Sequence, residues 1–93
     1  MSDIERNKQR RLRFLRAVYD LADGTPSHGV QGEDVAERLG LDIGGEEFHA
    51  QAYYHEKAGN TTALETNWGL IAITAQGIAE VESHATPESQ LAF

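Results

Sequence analysis

An ordered stretch from about Glu33 to Glu82 constrains the fold of this chain more than any other feature. It opens with GEDVAERLGLD, the pattern of a short helix closed by a glycine turn, and continues with EEFHAQAYYHEKAG, the pattern of a second helix. TTALETNWGLIAIT then indicates two short strands around a turn, and TAQGIAEVESH indicates a helix that begins at a threonine cap. This order of elements predicts a small α+β domain that is mostly helical.

The length of 93 residues predicts one domain, with a core over about 10–84, a polar helical extension over 1–9 and a loose tail over 86–93. A chain of this size buries only roughly 60 to 65% of its unfolded surface, so we expect a thin core that a partner or a second copy could complete. The chain has no cysteine, no apolar run long enough to span a membrane and a polar, basic start. These features favour a cytoplasmic protein without disulfides.

Charge is distributed unevenly along the chain. The net charge is -7, but residues 1–16 carry +4 and residues 17–93 carry -11. An acidic surface repels phosphate, so any contact with nucleic acid would have to use the first helix. The basic side chains of that helix are Arg6, Lys8, Arg10, Arg11, Arg13 and Arg16, of which Arg6, Arg10 and Arg13 share one narrow face.

Hydrophobic periodicity predicts four helices. The first runs from about Ile4 to Ala22 and has a broad apolar face, so we expect it at the centre of the domain. The others are expected over about 33–39, 46–58 and from Thr74 onward, with Ala85 as a further buried residue of the last. In the third helix the spacing directs Phe48, Ala52 and His55 inward and leaves Gln51, Tyr54 and part of Tyr53 facing outward. Strands are expected over 61–65 and 70–73, with a further short strand at Val30 and Gln31.

The stretches DVAERLGLD, EEFHAQAYYHEKAG and LIAITAQGIAEVE together resemble the winged helix-turn-helix superfamily of small prokaryotic regulators. The resemblance covers roughly residues 10–84, and Gly77 takes the place of the glycine that follows the wing. It implies a winged helix-turn-helix fold of about four helices and a small β-hairpin wing. It also implies a DNA-binding regulator that places its third helix in the major groove, sets its wing on the backbone and works as a homodimer on two half-sites.

On that interpretation, a defined set of side chains would contact duplex DNA. The arginines of the first helix would contact phosphate, the third helix would read bases, and the wing would add further contacts. The full set is Arg6, Arg10, Arg13, His49, Gln51, Tyr54, Asn67 and Trp68. The third helix, however, carries Glu46, Glu47 and Glu56 against Lys57, and the wing has no arginine or lysine. Because phosphate contacts by basic side chains supply much of the affinity for DNA, this composition argues against tight binding.

A different interpretation treats the domain as a protein–protein interaction module. The acidic third helix would then dock on a basic protein partner, or on the basic first helix of a second copy. Each candidate side chain also has a structural interpretation. The arginines fit a solvated helix face, Trp68 fits a side chain folded back onto the first or third helix, and the tyrosines fit a cover over the seam between helices.

No pattern in the sequence indicates catalysis. Ser27 and His28 are neighbours without a supporting acid, and GGEE lacks the lysine of a phosphate-binding loop. His49 and His55 are six residues apart, whereas metal-binding histidines on a helix are typically four apart. We therefore expect neither an enzyme nor a cofactor or metal site.

Overall fold

A computed structural model describes residues 3–84 of the chain. Four helices and three strands follow in the order α1 (Asp3–Leu21), β1 (Gly29–Gln31), α2 (Gly32–Leu39), α3 (Glu46–Lys57), β2 (Thr61–Ala63), β3 (Leu70–Ile73) and α4 (Ala75–Ser83), with a 3-10 turn at Thr66–Trp68. The fold is α+β and mostly helical, as predicted, and it is compatible with a winged-helix arrangement. The predicted burial of Ala85 and the predicted loose tail over 86–93 lie outside the described residues.

Helix α1 is the centre of the domain. It contacts each of the other helices and strand β3, and its buried residues include Phe14, Leu15 and Val18. Residues 3–10, at its polar beginning, are helical and exposed. The helix ends because Asp23 and Gly24 adopt positive φ values of 54° and 66°, which turn the chain out of the helical path.

The three strands form one antiparallel sheet in the order β1-β3-β2. Val30 of β1 pairs with Ile71, and Thr62 of β2 pairs with Ala72. Strand β3 lies in the middle and buries its last three residues, Ile71 to Ile73, against the helices. The prediction of a short strand near Val30 is confirmed. Strand β2 ends at Ala63, not at Glu65 as predicted, because the chain turns toward the 3-10 segment and leaves Leu64 exposed.

Helices α2 and α3 are joined by a turn that the glycine pattern predicts. Gly40 has a φ of 69° and lets the chain reverse, so that the amide of Leu41 donates to the carbonyl of Ala36 at 2.9 Å. Leu41 then packs against the core. Helix α3 buries Phe48, Ala52 and His55, the three residues predicted to point inward.

Helix α4 begins at a side-chain cap. The amide of Gly77 donates to Thr74 Oγ1 at 3.0 Å, and that hydroxyl donates to the carbonyl of Gly59 at 2.6 Å. A side chain at Gly77 would collide with the carbonyl oxygen of Asn60, so this position accepts only glycine without movement of the backbone. The cap therefore fixes both the start of α4 and its distance from the α3–β2 connection.

Within residues 3–84, no helix has the length and apolar character that a membrane span requires.

Candidate functional site

The outward face of α3 carries two exposed tyrosines. Tyr53 and Tyr54 are 55% and 41% exposed, and Ala50 and Lys57 are exposed beside them. The ammonium of Lys57 lies 5.4 Å from the centre of the Tyr53 ring. This face is therefore aromatic, and it carries Lys57 near its end and the exposed Glu46 at its beginning.

The basic half of α1 runs alongside this face. Arg11 places its guanidinium carbon 4.2 Å from the centre of the Tyr54 ring, a cation–π contact, and Arg10 Nε lies 3.9 Å from Glu47 Oε2. A cleft of about 410 Å³ separates the two helices there. Its lining residues are Asn7, Arg10, Arg11, Glu46, Glu47, Ala50, Gln51 and Tyr54. Helix α1 thus adds two arginines to the cleft, to which α3 contributes Glu46 and Glu47.

Two of the three acids of α3 point to its flanks and have partners there. Glu47 faces Arg10 on the α1 side, and Glu56 Oε1 accepts a hydrogen bond of 2.8 Å from the indole Nε1 of Trp68 on the other side. Glu46 lies in the first turn, where a negative charge is favoured by the helix dipole. Glu47 and Glu56 are therefore partly offset by their neighbours, whereas Glu46 stays exposed on the outward face.

Gln51 corrects one prediction about this face. It was expected to point outward with Tyr54, but it is only partly exposed and lies on the flank of α3 that meets α1. Its Oε1 is buried and has no hydrogen-bond partner among the residues that the structure describes. The spacing rule erred because the inward stripe of α3 is narrow, and α1 covers the adjoining flank as well.

Trp68 and His49 lie together on the other flank of α3. Their ring centres are 5.3 Å apart, both residues are half-buried, and Trp68 packs against the core. The sequence left open whether Trp68 folds back or stands free, and the structure has it folded back onto α3. Asn67 remains exposed, with a φ of 58°. The end of the 3-10 turn is also bonded to the start of α2, since the amide of Gly32 donates to the carbonyl of Gly69 at 2.9 Å.

Gly32 is the position that allows this arrangement. A side chain there would collide with the carbonyl oxygen of Trp68, so the backbones of α2 and the 3-10 turn approach as closely as they do only because the residue is glycine. Helix α2 accordingly begins at Gly32, one residue before the predicted start. The 3-10 turn is therefore held on two sides, by α2 and by α3.

His55 joins α1 to α3 beneath the surface. Its side chain is 2% exposed and stacks on Phe14, with ring centres 5.6 Å apart. Nε2 lies 2.8 Å from the carbonyl oxygen of Arg11, and Nδ1 lies 3.2 Å from the buried amide nitrogen of Asn60. Both distances are satisfied if Nε2–H donates and Nδ1 accepts, which is the neutral ring. Burial lowers the pKa of His55 from its ordinary value and favours that same neutral state.

The arginines predicted to form one contact stripe are divided by their neighbours. Arg6 lies near Asp3, at 3.8 Å, and Arg10 faces Glu47. Arg13 forms no ion pair or hydrogen bond within residues 3–84 and lines a separate groove beside α2 and α4. Arg11, which the predicted set lacked, contacts the Tyr54 ring on the outward face of α3. Helical spacing gave little signal for it, because Arg11 lies about 100° around the helix from Arg10.

Among residues 3–84, no three side chains of the metal-ligating types come together. The fold and the surface thus define a small α+β domain, compatible with a winged helix, in which a basic helix lies alongside an exposed aromatic helix face. Comparison of the chain with family models, with curated proteins and with solved structures finds no match.

Proposed function

We propose that this chain is a winged-helix module of a prokaryotic regulator that binds duplex DNA through α1 and α3. The observation that carries the proposal is the contact between the two helices, in which Arg10 and Arg11 lie along the edge of the α3 face. In this arrangement Tyr53, Tyr54 and Lys57 would enter the major groove. Arg6, Arg10 and Arg11 of α1 would contact the phosphates of one bordering strand.

Charge supports this use of the surface more than the sequence alone suggested. Residues 3–16 carry a net charge of +4, and all of it lies on α1. Glu47 and Glu56, the two acids on the flanks of α3, are engaged with Arg10 and Trp68. Arginine and lysine contacts to phosphate release counterions, so binding through this surface should depend steeply on salt.

The test is a fluorescence-anisotropy titration of a mixed-sequence duplex at about 50 and about 200 mM salt. We expect micromolar binding at the lower concentration and little binding at the higher one. The double variant Arg6→Gln, Arg10→Gln should lose about tenfold in affinity or more, because it removes two phosphate contacts. The matched control is Arg38→Gln, which removes an exposed arginine on α2, outside the α1–α3 cleft.

A duplex that fails to bind even at the lower salt concentration would refute the proposal. Equal loss of affinity in the double variant and in Arg38→Gln would also refute it, since the attraction of DNA would then not depend on the α1–α3 surface. Homodimerisation on two half-sites belongs to the same proposal, and a stoichiometry of two chains on a duplex with paired sites would support it.

A second candidate function is recognition of a protein partner. The specific observation in its favour is the pair of exposed tyrosines at the centre of the α3 face, because tyrosine is enriched at the energetic centres of protein interfaces. On this alternative, the acidic remainder of the chain would favour a basic partner. Pull-down with the wild type and with Tyr53→Ala would test it, and retention of a partner by both proteins would exclude the tyrosine face as the contact.

A further inference from the structure

A second groove lies on α1, between α2 and α4. Its volume is about 370 Å³, within the range of roughly 300 to 1,000 Å³ that small-molecule sites occupy. It is lined by Leu12, Arg13, Arg16, Ala17, Asp20, Arg38, Leu39, Val81 and His84. None of these residues lines the α1–α3 cleft, although Arg13 and Leu39 also line a smaller pocket of about 70 Å³ that reaches Arg10 and Glu47.

The floor of the groove is apolar. Ala17 and Val81 are buried, and Leu12 and Leu39 are half-buried beside them. Three different helices supply these side chains, and their packing leaves the space between them unfilled. An apolar group placed there would cover exposed parts of the two leucines and remove them from water, which is the main favourable contribution to binding at such a surface.

The rim of the groove is positively charged. Arg13, Arg16 and Arg38 contribute three guanidinium groups, and Asp20 is the one carboxylate in the lining. Asp20 is shared: its Oδ1 lies 3.1 Å from Arg16 Nε, and its Oδ2 lies 3.6 Å from Arg38 Nη1. The lining of the groove thus has an excess of two positive charges.

Arg13 is the guanidinium left without a carboxylate. Within the part of the chain that the structure describes it makes no ion pair and no hydrogen bond, and its exposed side chain lines the groove together with Leu12 and Leu39. Arginine can recognise a carboxylate through two parallel N–H donors. In the same groove, Asp20 already pairs with Arg16 and with Arg38, through one contact to each. A second carboxylate, supplied by a ligand, would complete the pairing of the rim.

We propose that this groove binds a small amphipathic carboxylate, with the carboxylate on Arg13 and a short apolar tail over Leu12, Leu39 and Val81. A purely polar anion would leave the floor exposed, and a neutral apolar molecule would leave Arg13 unpaired. The combination of an apolar floor and an unpaired guanidinium therefore selects for both parts of the ligand.

The experiment uses the full 93-residue chain and octanoate as the probe, with 1-octanol as the uncharged control of equal tail length. Titration is followed by NMR of the methyl groups of Leu12, Leu39 and Val81, with the Trp68 indole signal as a remote reference. We expect saturable shifts of the three methyl signals with octanoate, a weaker response to 1-octanol, and an unchanged indole signal.

The variant Arg13→Gln should weaken octanoate binding roughly two- to fivefold, because it removes a charge pair that is exposed to solvent. Arg13 has no partner among residues 3–84, so the variant should keep the wild-type NMR spectrum outside the groove. The matched control Arg6→Gln changes an arginine of the same helix that is absent from the lining, and it should bind octanoate as the wild type does. Absence of saturable shifts, equal affinity for 1-octanol, or equal affinity of the two variants would overturn the proposal.

Discussion

His55 should make the stability of the domain depend on pH in the range where few other side chains titrate. Burial is the main cause that lowers its pKa in the folded protein, and the positive charge of Arg11 lowers it further. The hydrogen bond to the Arg11 carbonyl and the charge of Glu80 oppose this shift without cancelling it. In the unfolded chain the histidine regains an ordinary pKa of about 6.5.

The sign of the effect follows from proton binding. Because the folded-state pKa is the lower one, the unfolded state binds more protons as the pH falls below about 6.5. The free energy of unfolding should therefore be at its full value above that pH and decrease as the pH falls toward the folded-state pKa. One proton contributes a slope of at most about 1.4 kcal/mol per pH unit across that interval.

The measurement is urea unfolding between about pH 7.5 and pH 5.2, above the range in which carboxylates titrate. Trp68 provides the signal, since it is the single tryptophan and is half-buried against α3. The variant His55→Gln removes the titrating ring and retains an amide that can donate to the Arg11 carbonyl. It should be less stable by about 1 to 3 kcal/mol, through lost packing on Phe14, and its stability should vary less with pH.

The difference between the two proteins isolates His55, because the remaining histidines are present in both. A wild type whose free energy of unfolding falls with pH no more steeply than that of His55→Gln would refute the reasoning. In that case the hydrogen bonds to the Arg11 carbonyl and to Asn60 would have to be retained by a charged ring.

Further predictions concern the cap, the glycines and the turn. Thr74→Val should lower the free energy of unfolding by about 1 to 2 kcal/mol in urea denaturation, whereas Thr74→Ser should stay near the wild type because it keeps the capping hydroxyl. Gly77→Ala should cost about 1 to 3 kcal/mol, because the new methyl group meets the Asn60 carbonyl, and a melting temperature equal to that of the wild type would contradict the close approach. Gly40→Ala should cost about 1 kcal/mol from its positive φ alone, since nothing lies within 4 Å of the added carbon. Trp68→Phe, followed by circular dichroism, should cost at most about 1.5 kcal/mol, because the lost hydrogen bond to α3 is exposed to water.

Local patterns in the sequence predicted the elements well where one segment decides the outcome. The spacing of Phe48, Ala52 and His55 identified the buried stripe of α3, and Thr74 at the end of the strand pattern identified the cap of α4. Both follow from helix geometry within a few residues. The central position of α1 was predicted for the same reason, since its apolar face is too broad for a single neighbour.

Contacts between distant segments set the features that the sequence did not reveal. The burial of Gln51 depends on α1 crossing that flank of α3, and the stacking of Arg11 on Tyr54 joins residues 43 positions apart. The need for glycine at position 32 arises from the carbonyl of Trp68, which no local pattern indicates. The grouping of the predicted contact residues into a cleft and a folded-back turn therefore depends on the tertiary structure, which local patterns do not indicate.

Arg11 holds α3 with two different parts of one residue. Its backbone carbonyl contacts His55 on the buried side, and its guanidinium covers Tyr54 on the exposed side. His55 and Tyr54 are adjacent residues of α3, so a rotation of α3 about its own axis would break both contacts with Arg11. The direction in which Tyr53 and Tyr54 point is therefore set by α1, and a substitution at position 11 would change what the outer surface presents even though α3 itself is unaltered.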